Sequence, residues 1–151
     1  MAVRHVAFED LGSLARILDA RGRTLAYCEA STDQLSPASI READLVIVLD
    51  GPIGVGYRRA FRFLAGEMLL IERRLARGLP TLGIGIGAQR MATAPDGRVQ
   101  PGAARTTGWG EVALTAEGRR SALAPLGLPD AKVLHWHGDG RRRRAAAGLS
   151  A

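Results

Sequence analysis

The sequence predicts an α/β fold built on a mainly parallel sheet. Three observations carry that expectation. The stretch "DLVIVLD" (Asp44–Asp50) is a continuous apolar run closed by acids, as a strand buried on both faces requires. On either side of it, short apolar strands alternate with segments whose large apolar residues recur at helical spacing. The turns "DGPIGVG" and "GIGIGAQ" follow strands and gather glycines where an open α/β sheet collects its ligands.

The elements follow in order. "VRHVAF" (Val3–Phe8) reads as the first strand. Asp10 can cap a helix "LGSLARILDARG" that carries Leu11, Leu14, Ile17 and Leu18 on one face and stops at Gly22. "TLAYCEA" is a second strand, followed by the polar loop "STDQLSP" and a short helical piece near Ser39–Glu42. After the central strand, Arg59–Arg77 is the strongest helix, with Phe61, Leu64, Met68, Ile71 and Leu75 on one stripe. On that helix Arg73, Arg74 and Arg77 read as a solvated face. Gly78 and Pro80 end it, "TLGI" begins another strand, and Ala88–Ala94 suits a helix. Beyond it "GRVQPG", "GWGEVALT" and "KVLHWHGD" read as a β-rich excursion, with Trp109 and Trp136 as packing residues. From Gly140 the chain becomes "GRRRRAAAGLSA", which has no periodicity and reads as a disordered end over residues 140–151.

Composition excludes several classes. At 151 residues the chain holds one domain, expected over residues 1–139. No apolar run approaches the length of a membrane span, and acids interrupt the N-terminal stretch where a signal peptide needs an apolar core, so a cytoplasmic location is expected. The net charge of +6 is concentrated in Arg141–Arg144; the remaining 17 basic residues nearly balance 15 acids. No aromatic stacking platform accompanies the basic run, so specific nucleic-acid binding is not expected. Cys28, the single cysteine, lies in the second strand and reads as a buried, inert thiol. His135, His137 and Asp139 lie close together on one strand but lack a further ligand at recognisable spacing, so no metal or other cofactor is expected. His5 reads as a hydrogen-bonded structural residue.

The stretch "TLGIGIGAQR" (Thr81–Arg90) admits two readings. Gly83, Gly85 and Ala88 satisfy the G-x-G-x-x-G/A pattern of a dinucleotide-binding turn, with a strand before and a helix after. Against it, the turn comes after three strands rather than after the first, and the acid expected about 20 residues on, at a strand end, is not met, since Glu111 lies further away. The second reading is a nucleophile elbow, in which Gly83 and Gly87 flank a sharp strand-to-helix turn and Gly85 holds the nucleophile's place. The N–H of Ile86 would then face a developing oxyanion.

On "PTLGIGIGAQRMA", "LVIVLDGPIGV", "GWGEVALT" and "LHWHGD", in order from about Val3 to Asp139, the sequence resembles the class I glutamine amidotransferase family, in its stand-alone, GMP-synthase-like branch. The resemblance implies a flavodoxin-like domain that hydrolyses glutamine through a Cys-His-Glu triad. It also implies glutamine as ligand and a synthetase or a second copy of the chain as partner. Carried over by position, Gly51 and Ile86 would offer oxyanion N–H groups. Pro52, Gly87, Gln89, Trp136, His137, Gly138 and Asp139 would line the glutamine pocket.

Three departures bear on activity. Gly85 stands where the family has its cysteine. The family's His-x-Glu pair has no counterpart, since no histidine follows His137 and no glutamate follows Glu117. Asp50 stands where the family has the first glycine of its oxyanion loop, which reads as the mildest change. An incomplete C-terminal part, as a shifted reading frame would produce, accounts for the missing pair and the arginine-rich end together. The expectation is therefore an inactive member, or a pseudo-enzyme that binds glutamine or a partner.

Overall fold

The computed structural model describes residues 1–32, 42–53, 61–94, 98–142 and 149–150. Among them the chain divides into two compact units, Met1–Pro95 and Asp96–Ala151.

The first unit is a parallel α/β sheet. Its strands are β1 (Ala2–Arg4), β2 (Tyr27–Glu29), β3 (Val46–Val48) and β4 (Thr81–Gly83), in the order β2-β1-β3-β4. All three pairings are parallel, with Val3 opposite both Cys28 and Val48, and Val48 opposite Gly83. Helices α1 (Ser13–Asp19), α2 (Arg62–Ala76) and α3 (Ile86–Thr93) connect or follow the strands.

The apolar run of the central strand divides by alternation. Val46 and Val48 join Val3, Cys28, Ala30 and Ile71 in one buried cluster, packed by Phe63, Leu70, Leu75 and Met91. Ile47 and Leu49 join Ala2 and Leu11 in another, packed by Leu14, Leu18 and Leu25. Both faces of β3 are covered, which is why its sequence shows no polar alternation. Cys28 is buried in β2, as its setting in an apolar strand implies.

Several boundaries move inward. The first strand ends at Arg4 rather than Phe8, because His5 turns its ring into the interior at the ends of the strands. Asp10 does not cap α1 directly; its Oδ1 accepts the N–H of Gly12, the residue that caps the helix, at 2.7 Å. On α2, Leu64, Met68 and Ile71 are buried as the stripe requires, but Phe61 is the exposed residue preceding the first turn. The expected helical piece at 39–42 lies outside the described residues except for Glu42, and so do 59 and 60 of the long helix.

Arg73 and Arg77 are exposed, but Arg74 is buried, contrary to its reading as part of a solvated face. Its position three residues after Ile71 puts it on the inner stripe. There its guanidinium donates to the carbonyls of Pro80 (2.8 Å) and Ala43 (3.2 Å) and to Thr81 Oγ1 (3.2 Å). Burial, and then the charge of Arg77, lower its pKa.

The second unit is β-rich. Strand β5 (Arg98–Gly110) pairs antiparallel with β7 (Val133–Arg142), with a register irregularity between Pro101 and Thr106. Between them lie β6 (Ala113–Leu114), the short helix α4 (Ala116–Arg119), capped by Thr115, and a 3-10 turn at Ala124–Gly127. Of the expected disordered end, 143–148 and 151 lie outside the described residues; the backbone of 140–142 belongs to β7, and Leu149–Ser150 forms β8, paired with β6. Trp109 and Trp136 are exposed rather than packed. Trp109 stands opposite Leu134 and Trp136 opposite Thr107, so alternation gathers the two indoles and Leu134 on one bare face of the ribbon. Among the described residues no helix is long and apolar enough to cross a membrane.

Arg74→Ala is expected to lower the unfolding free energy by about 2 kcal/mol, because the hydrogen bonds of its buried guanidinium to Pro80, Ala43 and Thr81 are lost. Arg73→Ala should change it by less than about 0.5 kcal/mol. Urea unfolding of the two variants checks the difference, and equal losses would contradict the inward placement of Arg74.

Candidate functional site

The strand-to-helix turn after β4 is an elbow in geometry as well as in sequence. Gly85 precedes α3 with φ 55° and ψ −119°, a left-handed backbone that glycine adopts without the cost a side chain would add. The glycines on either side permit close approach. A Cβ on Gly83 would overlap the backbone of Gly87 and Ala88, and one on Gly87 would overlap the carbonyl oxygen of Val48. The elbow is thus pressed against the end of β3, and Ile84 N–H donates to that same carbonyl at 2.9 Å.

The end of β3 delivers Asp50 to the elbow. Its Oδ1 accepts the N–H of Ile86 at 2.9 Å. A Cβ on Gly85 would overlap the Asp50 carboxylate carbon and both of its oxygens. The carboxylate therefore stands in the space a side chain at position 85 would need. It also holds the N–H that the family resemblance assigns to the oxyanion. The change that reads as mildest in sequence places a negative charge in the centre of the site. That charge, at the N-terminus of α3, also weighs against a pyrophosphate at Gly83-Gly85-Ala88.

Beneath the elbow lies a buried ionic cluster. His5 Nδ1–H donates to the Asp50 carbonyl at 2.7 Å. His5 Nε2 is 2.9 Å from Glu67 Oε2. Arg90 Nη1 donates to Glu67 Oε1 and lies against His5 Nε2, and Nη2 donates to the Ile53 carbonyl at 3.2 Å. Arg90 thereby ties α3 to α2 and to the loop that follows β3. Burial raises the Glu67 pKa, but the hydrogen bond from His5 and the charges of Arg90 and His5 outweigh it, so the carboxyl is held below its ordinary value. His5 is a structural residue with hydrogen bonds, as its strand setting suggests.

Glu67 and Arg90 escape a reading of periodicity and motif. The available signal is that Glu67 lies three residues after Leu64 and four before Ile71, an acid on the apolar stripe. Such a position needs a buried cationic partner, and sequence spacing does not say which one.

The other expected residues fall as follows. Gly51 packs directly against the His5 ring, and Pro52 beside it is exposed. Gln89 is half-buried on α3, and its Oε1 is buried without a hydrogen-bond partner among the described residues. Glu9 Oε2 is in the same condition, and burial followed by the charge of Asp50 raises its pKa, with His5 opposing. Trp136, His137, Gly138 and Asp139 lie on β7 in the second unit, where Trp136 is exposed and His137 half-buried. His135 and His137 meet edge to face with centroids 6.0 Å apart. Among the described residues no three His, Cys, Asp or Glu side chains converge on a metal position. Cys28 is on β2, at the opposite edge of the sheet from β4, so it is remote from the elbow by strand order.

No family model matches the chain. It is 28% identical over 142 residues to the glutamine amidotransferase-like protein YfeJ of Salmonella typhimurium, a match covering 91% of this chain and 59% of that protein. A solved glutamine amidotransferase of Thermotoga maritima superposes with a TM-score of 0.81 and 30% identity, covering 98% of this chain and 64% of that one. A glutamine amidotransferase from Methylobacillus flagellatus shares the fold at a TM-score of 0.79 and 22% identity, covering 94% of this chain and 56% of its own. The chain thus spans about three-fifths of the length of the relatives it matches.

Because the Glu67 carboxyl is held below its ordinary value, its contribution to stability is full above about pH 4.5 and is lost as pH falls through the depressed folded value. Glu67→Gln is expected to cost about 3 kcal/mol at pH 7 and to flatten that acid-range slope, because it strands the Arg90 charge. Chemical denaturation from pH 3 to pH 7 checks both; a slope unchanged in the variant would contradict the placement.

Proposed function

We propose that the chain is a cytoplasmic member of the class I glutamine amidotransferase family that does not hydrolyse glutamine, a reading supported by its likeness to solved glutamine amidotransferases. One observation carries the reading: the residue in the elbow conformation is Gly85. Family chemistry needs a thiolate there to attack the side-chain carboxamide of glutamine, a His-Glu pair to activate it, and an N–H to hold the oxyanion. Glycine offers no nucleophile. Within these 151 residues no His-x-Glu pair follows the elbow, and Cys28 is fixed at the far edge of the sheet. With no bond formed to the amide carbon, no thioester arises and no ammonia leaves.

A second reading keeps glutamine as a ligand without turnover, with a synthetase or a second copy of the chain as the partner informed by it. The buried Oε1 of Gln89 on the elbow helix, which has no hydrogen-bond partner among the described residues, favours that reading as an acceptor for a ligand's amide N–H. The first-unit residues that the family resemblance assigns to the pocket, Pro52, Gly87 and Gln89, are the ones such a module would use.

The purified chain is expected to release ammonia from glutamine at the rate of a protein-free control, and Gly85→Cys should do no better. A coupled ammonia assay on both proteins tests this, and turnover by the unaltered chain would refute it. Calorimetric titration with glutamine separates the two readings: heat that saturates favours the binding module, and its absence favours a domain that has lost the ligand as well.

A further inference from the structure

The geometry points to Asp50 as the resident occupant of the oxyanion position: its carboxylate closes the elbow from within, and Gly85 is the residue that lets it do so. This rests on reading Gly85 as the nucleophile's place and Ile86 N–H as the oxyanion donor.

Two contacts carry the inference, and each excludes an alternative. Asp50 Oδ1 accepts the Ile86 N–H at 2.9 Å, so this donor is already engaged by an anion. The carboxylate also fills the volume that a Cβ on residue 85 would enter. A carboxylate is the far end of a short, rotatable side chain and can swing away, but only by giving up the Ile86 N–H. A side chain at position 85 and the Asp50–Ile86 hydrogen bond are therefore mutually exclusive. The absent nucleophile and the aspartate in the oxyanion loop are one structural change seen at two positions.

Asp50 is held in place from its own backbone as well. His5 donates to the Asp50 carbonyl, and the His5 ring is in turn held by Glu67 and Arg90. Neither end of the residue is loose. The consequence for ligands is one of sign. In a family site the Ile86 N–H would receive an amide carbonyl whose oxygen gains negative charge. Here a fixed carboxylate occupies that point, so a carbonyl or carboxylate from outside meets both an engaged donor and a like charge. Asp50 is thus a specificity-determining residue, and it closes the elbow to the side-chain carbonyl of glutamine.

The test is a cycle of four proteins, followed by thermal unfolding: unaltered, Asp50→Gly, Gly85→Ala and the double variant. Gly85→Ala should lower Tm more in the unaltered chain than in the Asp50→Gly background, by roughly 3 °C or more. The residual loss in the Asp50→Gly background is the cost of alanine at positive φ. Equal losses in both backgrounds would overturn the proposal. Independently of position 85, Asp50→Gly should speed hydrogen exchange of the Ile86 amide at least about tenfold and leave that of Ile47 in β3 unchanged; an unaltered Ile86 rate would likewise overturn it. Both readouts are free of glutamine, so ammonia release by the chain would refute the proposed function and leave this contact standing.

Discussion

The hydrogen bond from Ile86 N–H to the Asp50 carboxylate is the contact on which the site depends. It joins the end of β3 to the start of α3 at the point where a parallel sheet presents its ligand-binding edge. The supporting shell is ionic and buried. His5 from the end of β1, Glu67 from α2 and Arg90 from α3 meet behind the Asp50 carbonyl, and Arg90 extends to the Ile53 carbonyl. Four segments of the first unit thus converge on one turn. A buried carboxylate and guanidinium pair is costly to assemble, and it is strongly destabilising to break singly. The geometry at Asp50 is consequently fixed by groups that cannot be removed one at a time without loss of the fold around them.

That arrangement carries little backbone strain. A nucleophile at an elbow sits in a strained left-handed conformation, at a cost on the order of 1–3 kcal/mol. Glycine at position 85 removes the strain. A carboxylate at the first N–H of a helix adds a favourable interaction of about 0.3–1 kcal/mol with the helix dipole. Each change favours the closed elbow over an open one. A reactive site has the opposite character, with a strained residue and an unsatisfied donor waiting for charge. The elbow of this chain has neither.

Much of this was legible in the sequence. The parallel sheet follows from "VIVL", since Val46 and Val48 face one cluster and Ile47 and Leu49 the other. The elbow follows from the spacing of Gly83, Gly85 and Gly87, whose missing side chains the packing requires. Less visible were features set by partners distant in sequence. Glu67 and Arg90 are 23 residues apart on different helices, and no periodicity links them. Arg74 sits among three arginines that look alike in sequence, yet only its position on the inner stripe brings it to the carbonyls of Ala43 and Pro80. Asp50 read as a mild substitution because its effect arises only when β3 and α3 are brought together. Trp109 and Trp136 read as packing residues, whereas strand alternation puts both on one exposed face of the β5–β7 ribbon.

The central claim is that the Asp50 carboxylate holds the Ile86 N–H in solution. The most direct measurement is the amide proton chemical shift of Ile86, compared between the unaltered chain and Asp50→Gly. The account predicts a downfield Ile86 resonance in the unaltered chain that moves upfield in Asp50→Gly, while the Ile47 amide of β3 stays in place. An Ile86 shift that is the same in both proteins would contradict it.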